Sequence, residues 1–327
     1  MKKLRHIRSD FGFTLIELLV AIAASGLVLA GLVQIFWTAN RSYTHQDEMA
    51  TLQQNLRVAK TYLERDIRMA GCGMGSTFFN HGTQVFPLVN TNGGAAGSDS
   101  LVITYVDYDD PCNDALPPLT PNAIASPEIT VNEDLTHSAT PPSPQYSFWT
   151  AGVVCAAAPF FAVYTKPFDS STPTKTQSYV FTVSSVTGTN KLQCTGLGSP
   201  IFLPNSSIRF FSSTQLVTVT YSYTSNTLTR NAGVVADSIE DLQFAFGLDT
   251  TGDGTVGTWI NNADLDDTEK TQVRQVRISI LGRSSNQMPG QLPNVRPLIE
   301  DHAAGTASEK YLRELLQFEI KPRNIQG

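Results

Sequence analysis

Glu17 is the residue whose chemistry most needs an explanation, because it is a carboxylate within a long apolar run. Residues 12–37 read GFTLIELLVAIAASGLVLAGLVQIFW, and Glu17 is their only charged side chain. A helix that spans the hydrocarbon core needs about 20 mostly apolar residues, and Phe13 to Trp37 provides about 25. An ionisable group inside such a span is costly and indicates a function. The stretch therefore predicts a membrane-spanning helix in which Glu17 has a specific partner.

A second group of oxygen-bearing side chains lies in the stretch DTTGDGTV. Asp249, Thr251, Asp253 and Thr255 occupy alternate positions of a calcium-loop pattern, with a glycine where such a loop turns sharply. The last position of the pattern, where a bidentate acid is expected, is Ile260. A longer loop could draw that acid from one of three aspartates, Asp264, Asp266 and Asp267. The alternative is an Asp/Gly turn between two strands that binds no metal. No cofactor is required in either case.

Catalytic motifs are missing from the sequence. The five histidines are isolated, and there is no H-E-x-x-H, no G-x-S-x-G and no Gly-rich phosphate loop. We therefore expect no enzyme activity. The formal net charge of −6 offers no overall attraction for nucleic acid, so nucleic acid is not an expected partner.

A basic leader precedes the apolar run, with four Lys or Arg residues and one acid, Asp10, before Gly12. Positive charge beside a span keeps that end in the cytoplasm, so the chain after Trp37 is expected to be exported. A cleaved secretory signal peptide does not fit, because the apolar run is too long and no small-residue cleavage site follows it. An ordinary signal anchor would explain the topology but not Glu17.

Four cysteines, Cys72, Cys112, Cys155 and Cys194, would lie in an oxidising compartment after export. None forms a C-x-x-C pair, so metal binding and redox chemistry are not expected. Four cysteines allow three connectivities, and we expect two disulfides, with Cys112–Cys155 as the weakly preferred first bridge. The alternative is that one or more of them stay free.

The sequence GFTLIE at residues 12–17, behind a short basic leader and at the head of an apolar span, resembles the processing motif of type IV prepilins. The resemblance implies that a prepilin peptidase cuts between Gly12 and Phe13 and that the new amino terminus, Phe13, is N-methylated. It also implies that Glu17 acts in assembly. The new amine and Glu17 can neutralise each other, within one subunit or between neighbours, where either charge alone would be costly to bury.

The helix is expected to continue beyond the membrane. After Trp37, apolar residues recur at steps of three and four, which is the spacing of one face of an amphipathic helix. These residues are Leu52, Leu56, Ala59, Leu63, Ile67 and Ala70. Gly71, Gly73 and Gly75 end the pattern. A helix over residues 13–70 would be roughly 87 Å long at 1.5 Å per residue.

Strand patterns dominate the chain beyond these glycines, and no second long helical pattern occurs. The predicted strands are LVITY (101–105), PFFAVYT (159–165), QSYVFTVSSV (177–186), SIRFF (207–211), LVTVTYSY (216–223), SNTLTR (225–230), DLQFAFGL (241–248), QVRISILGR (275–283) and LLQFEIK (315–321). The last of these, within SEKYLRELLQFEI, could also be a helix. Residues 111–150 are rich in Pro, Asn, Ser and Thr and are expected to form a long irregular insertion.

The predicted fold class is α+β, with a long N-terminal helix packed on an antiparallel sheet, which is the pilin architecture. From Asp237 onward, the strand ending in FAFGLD, the acidic turn and the segment VRQVRISILGRS resemble the PilW group of minor pilins, and RDIRMAG at residues 65–71 fits the same group. The resemblance covers residues 1–75 and 235–285. It implies a cleaved leader (1–12), a transmembrane half of the helix (13–37), an amphipathic half (38–75) and an exported head (76–327).

The sequence thus predicts a minor pilin that helps to initiate type IV pilus assembly in a tip complex. Its expected partners are the prepilin peptidase, other minor pilins, the major pilin and the inner membrane. It is expected in the inner membrane, with a cytoplasmic amino terminus, before assembly and on the surface pilus afterwards. Two alternatives remain: a minor pseudopilin of a type II secretion system, and a pilus-tip adhesin or DNA-uptake receptor.

Overall fold

A computed structural model of the chain describes ten segments. They are residues 14–74, 79–81, 83–107, 121–125, 128–131, 160–165, 178–187, 191–195, 207–212 and 216–325. The predicted cleavage position at Gly12 and Phe13 lies outside these segments, as do Cys112 and Cys155.

One long helix, α1 (Leu15–Met69), dominates the amino-terminal part of the molecule. Its 55 residues span roughly 82 Å at 1.5 Å per residue. Thr14 is the N-cap, and beyond the end of the helix Gly71 and Gly73 have φ angles of 73° and 72°. Glycine adopts such left-handed angles without steric cost, so these two residues end the helix and turn the chain into the head. The prediction of a single helix over about residues 13–70 is confirmed.

In the segments that the structure describes, the head consists of short strands and two short helical segments. The strands are β1 (Phe79–His81), β2 (Thr83–Val85), β3 (Leu88–Thr91), β4 (Ser100–Val106), β5 (Pro121–Ala125), β6 (Glu128–Val131), β7 (Phe160–Thr165), β8 (Ser178–Thr187), β9 (Lys191–Thr195), β10 (Ser207–Ser212), β11 (Leu216–Thr224), β12 (Thr227–Arg230), β13 (Gly233–Asp237), β14 (Ile239–Leu248), β15 (Thr258–Ile260), β16 (Val273–Arg283) and β17 (Arg313–Ile320). A 3₁₀ helix (Gly94–Ala96) precedes β4, and α2 (Asp267–Gln272) precedes β16.

Two antiparallel sheets form the part of the head that packs on the helix. One has the strand order β13-β12-β11-β4-β3, and the other has the order β15-β14-β16-β17. Every pairing within these two sheets is antiparallel. A long helix followed by antiparallel sheets is the predicted α+β fold class, which is confirmed.

The second half of α1 buries one face against these sheets. All six apolar residues that the periodicity selected, from Leu52 to Ala70, are at most 2% exposed. They share one core with side chains of β4, β11, β14 and β16, including Ile103, Tyr221 and Ile278. These six residues therefore form the buried face of the helix, and the hydrophobic effect on this face holds the helix to the head.

Gly282 allows β16 to approach the helix closely. A Cβ placed on this glycine would lie 2.5 Å from Cδ1 of Leu52 and 3.3 Å from Cδ2 of Leu56. Real carbon atoms do not approach so closely, and both leucines are buried. The absence of a side chain at Gly282 thus sets the distance between helix and sheet.

A large insertion separates two neighbouring strands of the core. Strands β4 and β11 are paired, with Leu216 opposite Val106, although residues 107–215 lie between them in the sequence. The described strands of that insertion, β5 to β10, belong with β1 and β2 to a separate sheet. The prediction that residues 111–150 are irregular is wrong where β5 and β6 pair, with Ile124 opposite Ile129. The Pro- and Ser-rich composition of this stretch favoured a loop, whereas the two β-branched residues favour the strands that are observed.

The carboxyl-terminal segment is a strand. Strand β17 pairs antiparallel with β16 from Arg313 opposite Arg283 to Ile320 opposite Val276. The strand prediction for LLQFEIK is therefore confirmed, and the helical alternative for SEKYLRELLQFEI is wrong. Local propensity is compatible with either a helix or a strand in this segment. Pairing with the largely buried strand β16 favours the strand.

Candidate functional site

The apolar half of α1 projects from the head without packing on it. The most apolar 18-residue window of this helix is 0% buried, and its mean hydropathy is 2.4. In the described part of the chain it is the one helix long and apolar enough to cross a membrane. Large side chains such as Leu15, Leu27 and Trp37 are 83%, 78% and 67% exposed. An apolar surface of this length requires lipid or other apolar helices around it.

Glu17 closes the amino-terminal end of this helix. Its Oε2 accepts hydrogen bonds from the backbone N–H and the hydroxyl of Thr14, both at 2.9 Å. In return, the Thr14 hydroxyl accepts a bond from the Glu17 backbone N–H at 3.2 Å. This reciprocal arrangement is a capping box, and a negative charge here also suits the positive end of the helix dipole. Sequence reasoning singled out Glu17 but not its bond to Thr14.

The helix and the head are joined by a buried polar contact at Asp66, which is 1% exposed. Its Oδ2 accepts a hydrogen bond from the Tyr221 hydroxyl at 2.7 Å and one from Nε of Arg230 at 2.6 Å. Burial, and then the bond to Asp66, raises the pKa of Tyr221, while the hydrogen bond to Asp66 raises the pKa of Arg230. Tyr221 therefore stays neutral and Arg230 stays charged at neutral pH, so the contact is a stable ion pair supported by a hydroxyl.

Sequence reasoning missed Asp66, although a signal was present. The residue lies three positions after Leu63 and directly before Ile67, within the apolar periodicity that the head buries. A charged residue on a buried helical face requires a partner. The partner could not be identified, because Arg230 is 164 positions away.

The acidic turn after β14 is organised around one carboxylate. Asp249 is 3% exposed, and its side chain accepts bonds from the backbone N–H groups of Gly252 (2.5 Å), Asp253 (3.2 Å) and Gly254 (2.9 Å). Nε of Arg274 lies 3.3 Å from its Oδ2. Burial opposes ionisation of Asp249, but these N–H bonds and the charge of Arg274 outweigh it and lower its pKa. Asp249 therefore acts as the charged acceptor that folds the turn.

The other residues of the predicted calcium loop bond within the turn as well. Asp253 accepts bonds from the backbone and the hydroxyl of Thr255 at 2.8 and 2.6 Å, and the Thr251 hydroxyl lies 3.4 Å from Asp249. The three aspartates considered as the missing ligand bond elsewhere, Asp264 to Asn92, Asp266 to Glu269 and Asp267 to Lys270.

The donors around Asp249 are N–H groups rather than the oxygen ligands that calcium requires. In the described segments no group of three or more His, Cys, Asp or Glu residues could hold a metal ion. The residues as arranged do not fit calcium, and the calcium site remains a prediction.

A second buried polar cluster lies between β14 and the loops on either side of it. Asp241 is 0% exposed, and its side chain lies 3.0 Å from Nη1 of Arg296 and 2.8 Å from Nδ1 of His302. Nearby, Asp99 accepts bonds from the backbone N–H groups of Gly93 and Phe244, each at 2.8 Å. Burial raises the pKa of Asp99 to about 6 against the effect of these two bonds, and the charges of Asp301 and Asp241 add to the rise. This cluster ties the 3₁₀ region to the core sheet.

The cysteines are described only in part. Cys72 follows the helix, is half-buried, and its carbonyl accepts a bond from the N–H of Val106 at 2.8 Å. Cys112 and Cys155 lie outside the described residues, and of Cys194 only the backbone in β9 is described. The two expected disulfides therefore remain predictions, as do the cleavage at Gly12 and the methylation of Phe13.

Comparisons with known proteins give two family matches. Residues 204–324 match the family described as Type IV Pilus-assembly protein W, and residues 7–33 match the prokaryotic N-terminal methylation motif. A type IV-like pilin of solved structure from Thermus thermophilus is 12% identical, with 84% of this chain and 97% of that chain covered and a TM-score of 0.34. That TM-score is too low to support an argument about the fold. No curated protein matches the chain.

Proposed function

We propose that this chain, which matches the Type IV Pilus-assembly protein W family over residues 204–324 and the prokaryotic N-terminal methylation motif over residues 7–33, is a minor pilin that helps to initiate pilus assembly. The observation that carries the proposal is the exposed apolar half of α1, capped by Glu17 at its amino-terminal end. A helix held to its head at one end and unpartnered at the other can pass from a bilayer to a bundle of similar helices.

Processing would place a second charge beside Glu17. After a cut between Gly12 and Phe13, the new amine would belong to the residue directly before Thr14. Glu17 bonds to the N–H of Thr14 at 2.9 Å, so its carboxylate lies one residue away from that amine. The pair can neutralise each other within the subunit, or Glu17 can turn to the amine of a neighbouring subunit and fix the axial register. No chemical step is catalysed by the chain itself.

The head supports a position at the tip of the filament. Residues 107–215 are inserted between the paired strands β4 and β11, and their described strands, β5 to β10, belong with β1 and β2 to a separate sheet. A head enlarged in this way would be difficult to repeat at every position along a dense filament. We therefore place this subunit with other minor pilins at the tip, where the major pilin adds behind them, and in the inner membrane before assembly.

The proposal is tested by deleting the gene and restoring it with either the natural sequence or Glu17→Ala. We expect deletion to reduce the number of surface pili, the natural sequence to restore it, and Glu17→Ala to fail while still inserting in the membrane. Asp47→Ala, which removes an exposed acid from the polar half of the same helix, is the matched control and should restore pili.

Two outcomes would contradict the proposal. Unchanged pili after deletion would refute a role in assembly, and loss of protein secretion with intact pili would favour the pseudopilin alternative. Mass spectrometry of the mature protein tests the processing separately. An amino terminus other than methylated Phe13 would refute the prepilin assignment.

A further inference from the structure

The connection between β16 and β17 runs beside the helix toward its apolar end. Ser285 donates its backbone N–H to Oε2 of Glu48 at 3.2 Å. Further along, Gly290 lies so close to Arg41 that a Cβ on this glycine would be 2.8 Å from Nη1 of the arginine. Gly290 has a φ angle of 87° and therefore turns the chain tightly at this point. The tip of the connection thus reaches the level of Arg41 on α1.

Arg41 lies at the level where a bilayer would end. The predicted span from Phe13 to Trp37 is at the long end of the range of helix lengths that cross a hydrocarbon core, so the helix leaves the core near Trp37. Trp37, at 67% exposure, is a residue type enriched at this interface. Arg41 follows one turn later, at the depth of the lipid headgroups.

The helix and the connection enclose an open groove at this level. It has a volume of about 410 Å³, and its lining includes Gln34, Trp37 and Arg41 from the helix and Met288 and Pro289 from the connection. The rest of the lining is polar, from Thr38, Asn40 and Thr44. The groove therefore joins the end of the exposed apolar span to the head through a surface of mixed polarity, as at a lipid headgroup layer.

The connection also presents an unburied apolar side chain beside the groove. Leu292 is 81% exposed, two residues after the glycine that touches Arg41. The neighbouring Pro289 and Pro293 are exposed too. Apolar residues exposed at the depth of the headgroups would gain from contact with the acyl boundary of a bilayer.

We propose that residues 289–293 are a second membrane-contacting element, which rests on the phospholipid surface of the exported face of the inner membrane before assembly. The inference rests on the proposed function in that it requires α1 to span the membrane. The continuity of the groove with the span favours lipid as the occupant.

The charges around the groove suit phospholipid headgroups. Arg41 and the exposed Lys310, whose carbonyl accepts the N–H of Met288 at 2.9 Å, supply positive charge for lipid phosphates. Of the two nearest acids on the helix, Glu48 accepts a bond from Ser285 and Asp47 lies farther from the span.

Leu298 provides a matched control on the same connection. It is 65% exposed and apolar, but it lies beside Glu300, whose carboxylate bonds to Arg277 at 2.9 Å. Arg283, at the end of β16, lies two residues before Ser285, which bonds to Glu48 on the helix. Arg277 lies six residues earlier on β16 and is therefore roughly 20 Å farther from the bilayer along the strand. Leu298 therefore lies well above the predicted bilayer surface.

The experiment uses the full chain in vesicles of phosphatidylethanolamine and phosphatidylglycerol. A photoreactive p-benzoylphenylalanine replaces either Leu292 or Leu298, and lipid adducts are measured by mass spectrometry after irradiation. We expect a lipid adduct at position 292 and none above background at position 298. In a parallel measurement, Leu292→Asp should speed hydrogen exchange of the backbone amides in residues 289–293 without changing exchange in the span.

Each outcome bears on a different claim. If the chain is removed from the vesicles by alkaline carbonate, α1 does not span the bilayer and the proposed function fails with the inference. If the chain resists carbonate but position 292 gives no lipid adduct, or no more than position 298, the inference alone fails. Crosslinking of position 292 to another copy of the chain in place of lipid would also overturn it and assign the groove to a contact between subunits.

Discussion

Replacing Asp66 by alanine should weaken the attachment of the helix to the head. Asp66 is 1% exposed and accepts the Tyr221 hydroxyl at 2.7 Å and Nε of Arg230 at 2.6 Å. The change would leave the Tyr221 hydroxyl buried without its acceptor, which costs about 1–3 kcal/mol. It also removes the ion pair with Arg230.

The size of the total effect depends on the exposure of the cation. Removing one partner of a fully buried ion pair costs about 3–5 kcal/mol. The side chain of Arg230 is 27% exposed, so it can turn toward water and avoid part of that cost. We therefore expect Asp66→Ala to lower the free energy of unfolding by about 2–4 kcal/mol.

The assay is urea and thermal unfolding of the full chain in mild detergent, followed by near-ultraviolet circular dichroism. A loss of about 3 kcal/mol should lower the Tm by roughly 6–12 °C for a domain of this size. Tyr221→Phe keeps the ion pair and should cost about 1 kcal/mol. Asp47→Ala makes the same change as Asp66→Ala at an exposed position of the same helix, and its effect should stay within about 0.5 kcal/mol. A loss in Asp66→Ala no larger than in this control would refute the reasoning.

Other changes test the head at three separate places. The raised pKa of Asp99, about 6, means that the folded chain holds a proton there that the unfolded chain releases at lower pH. The stability that this protonation contributes is therefore present below about pH 4 and lost as the pH rises through about 6, and Asp99→Asn should flatten this slope in urea midpoints. Gly282→Ala should cost about 1–3 kcal/mol in urea unfolding by pressing on Leu52, whereas Gly257→Ala, with no neighbour closer than 3.5 Å, should cost less. Adding calcium should leave the Tm unchanged because N–H donors surround Asp249, and a rise in Tm would instead support the calcium loop.

The helix could be predicted because its signals are local. The run from Phe13 to Trp37 and the spacing from Leu52 to Ala70 are read directly from the sequence, and glycines mark the end. The predicted strands are also present in the structure. Each has an alternating or continuously apolar sequence long enough to be recognised as a strand that buries one or both faces. The other described strands were missed because each has only three to five residues, too few for a clear alternation. They are β1, β2, β3, β5, β6, β9, β13 and β15.

The contacts that organise the head could not be predicted because their members are far apart in the sequence. Asp66 and Arg230 are brought together only when α1 packs on β11 and β12. The DTTGDGTV stretch shows the converse. Its spacing is compatible with a calcium loop, but the position of Arg274 on the neighbouring strand determines what Asp249 faces. Side-chain type and spacing define what a turn can bind, and the tertiary neighbours decide which partner is present.

On the proposed function, the apolar half of the helix must be stable in two surroundings. Lipid tails and a bundle of apolar helices cover it about equally well, so the hydrophobic effect gives little net drive for passing from one to the other. The groups that change partners must then supply the direction. In this structure Glu17 has a partner in its own Thr14, which satisfies the carboxylate within the helix. On the proposed function, a filament would favour entry of the subunit by offering Glu17 a stronger partner, and the positive amine of a processed neighbour would be such a partner.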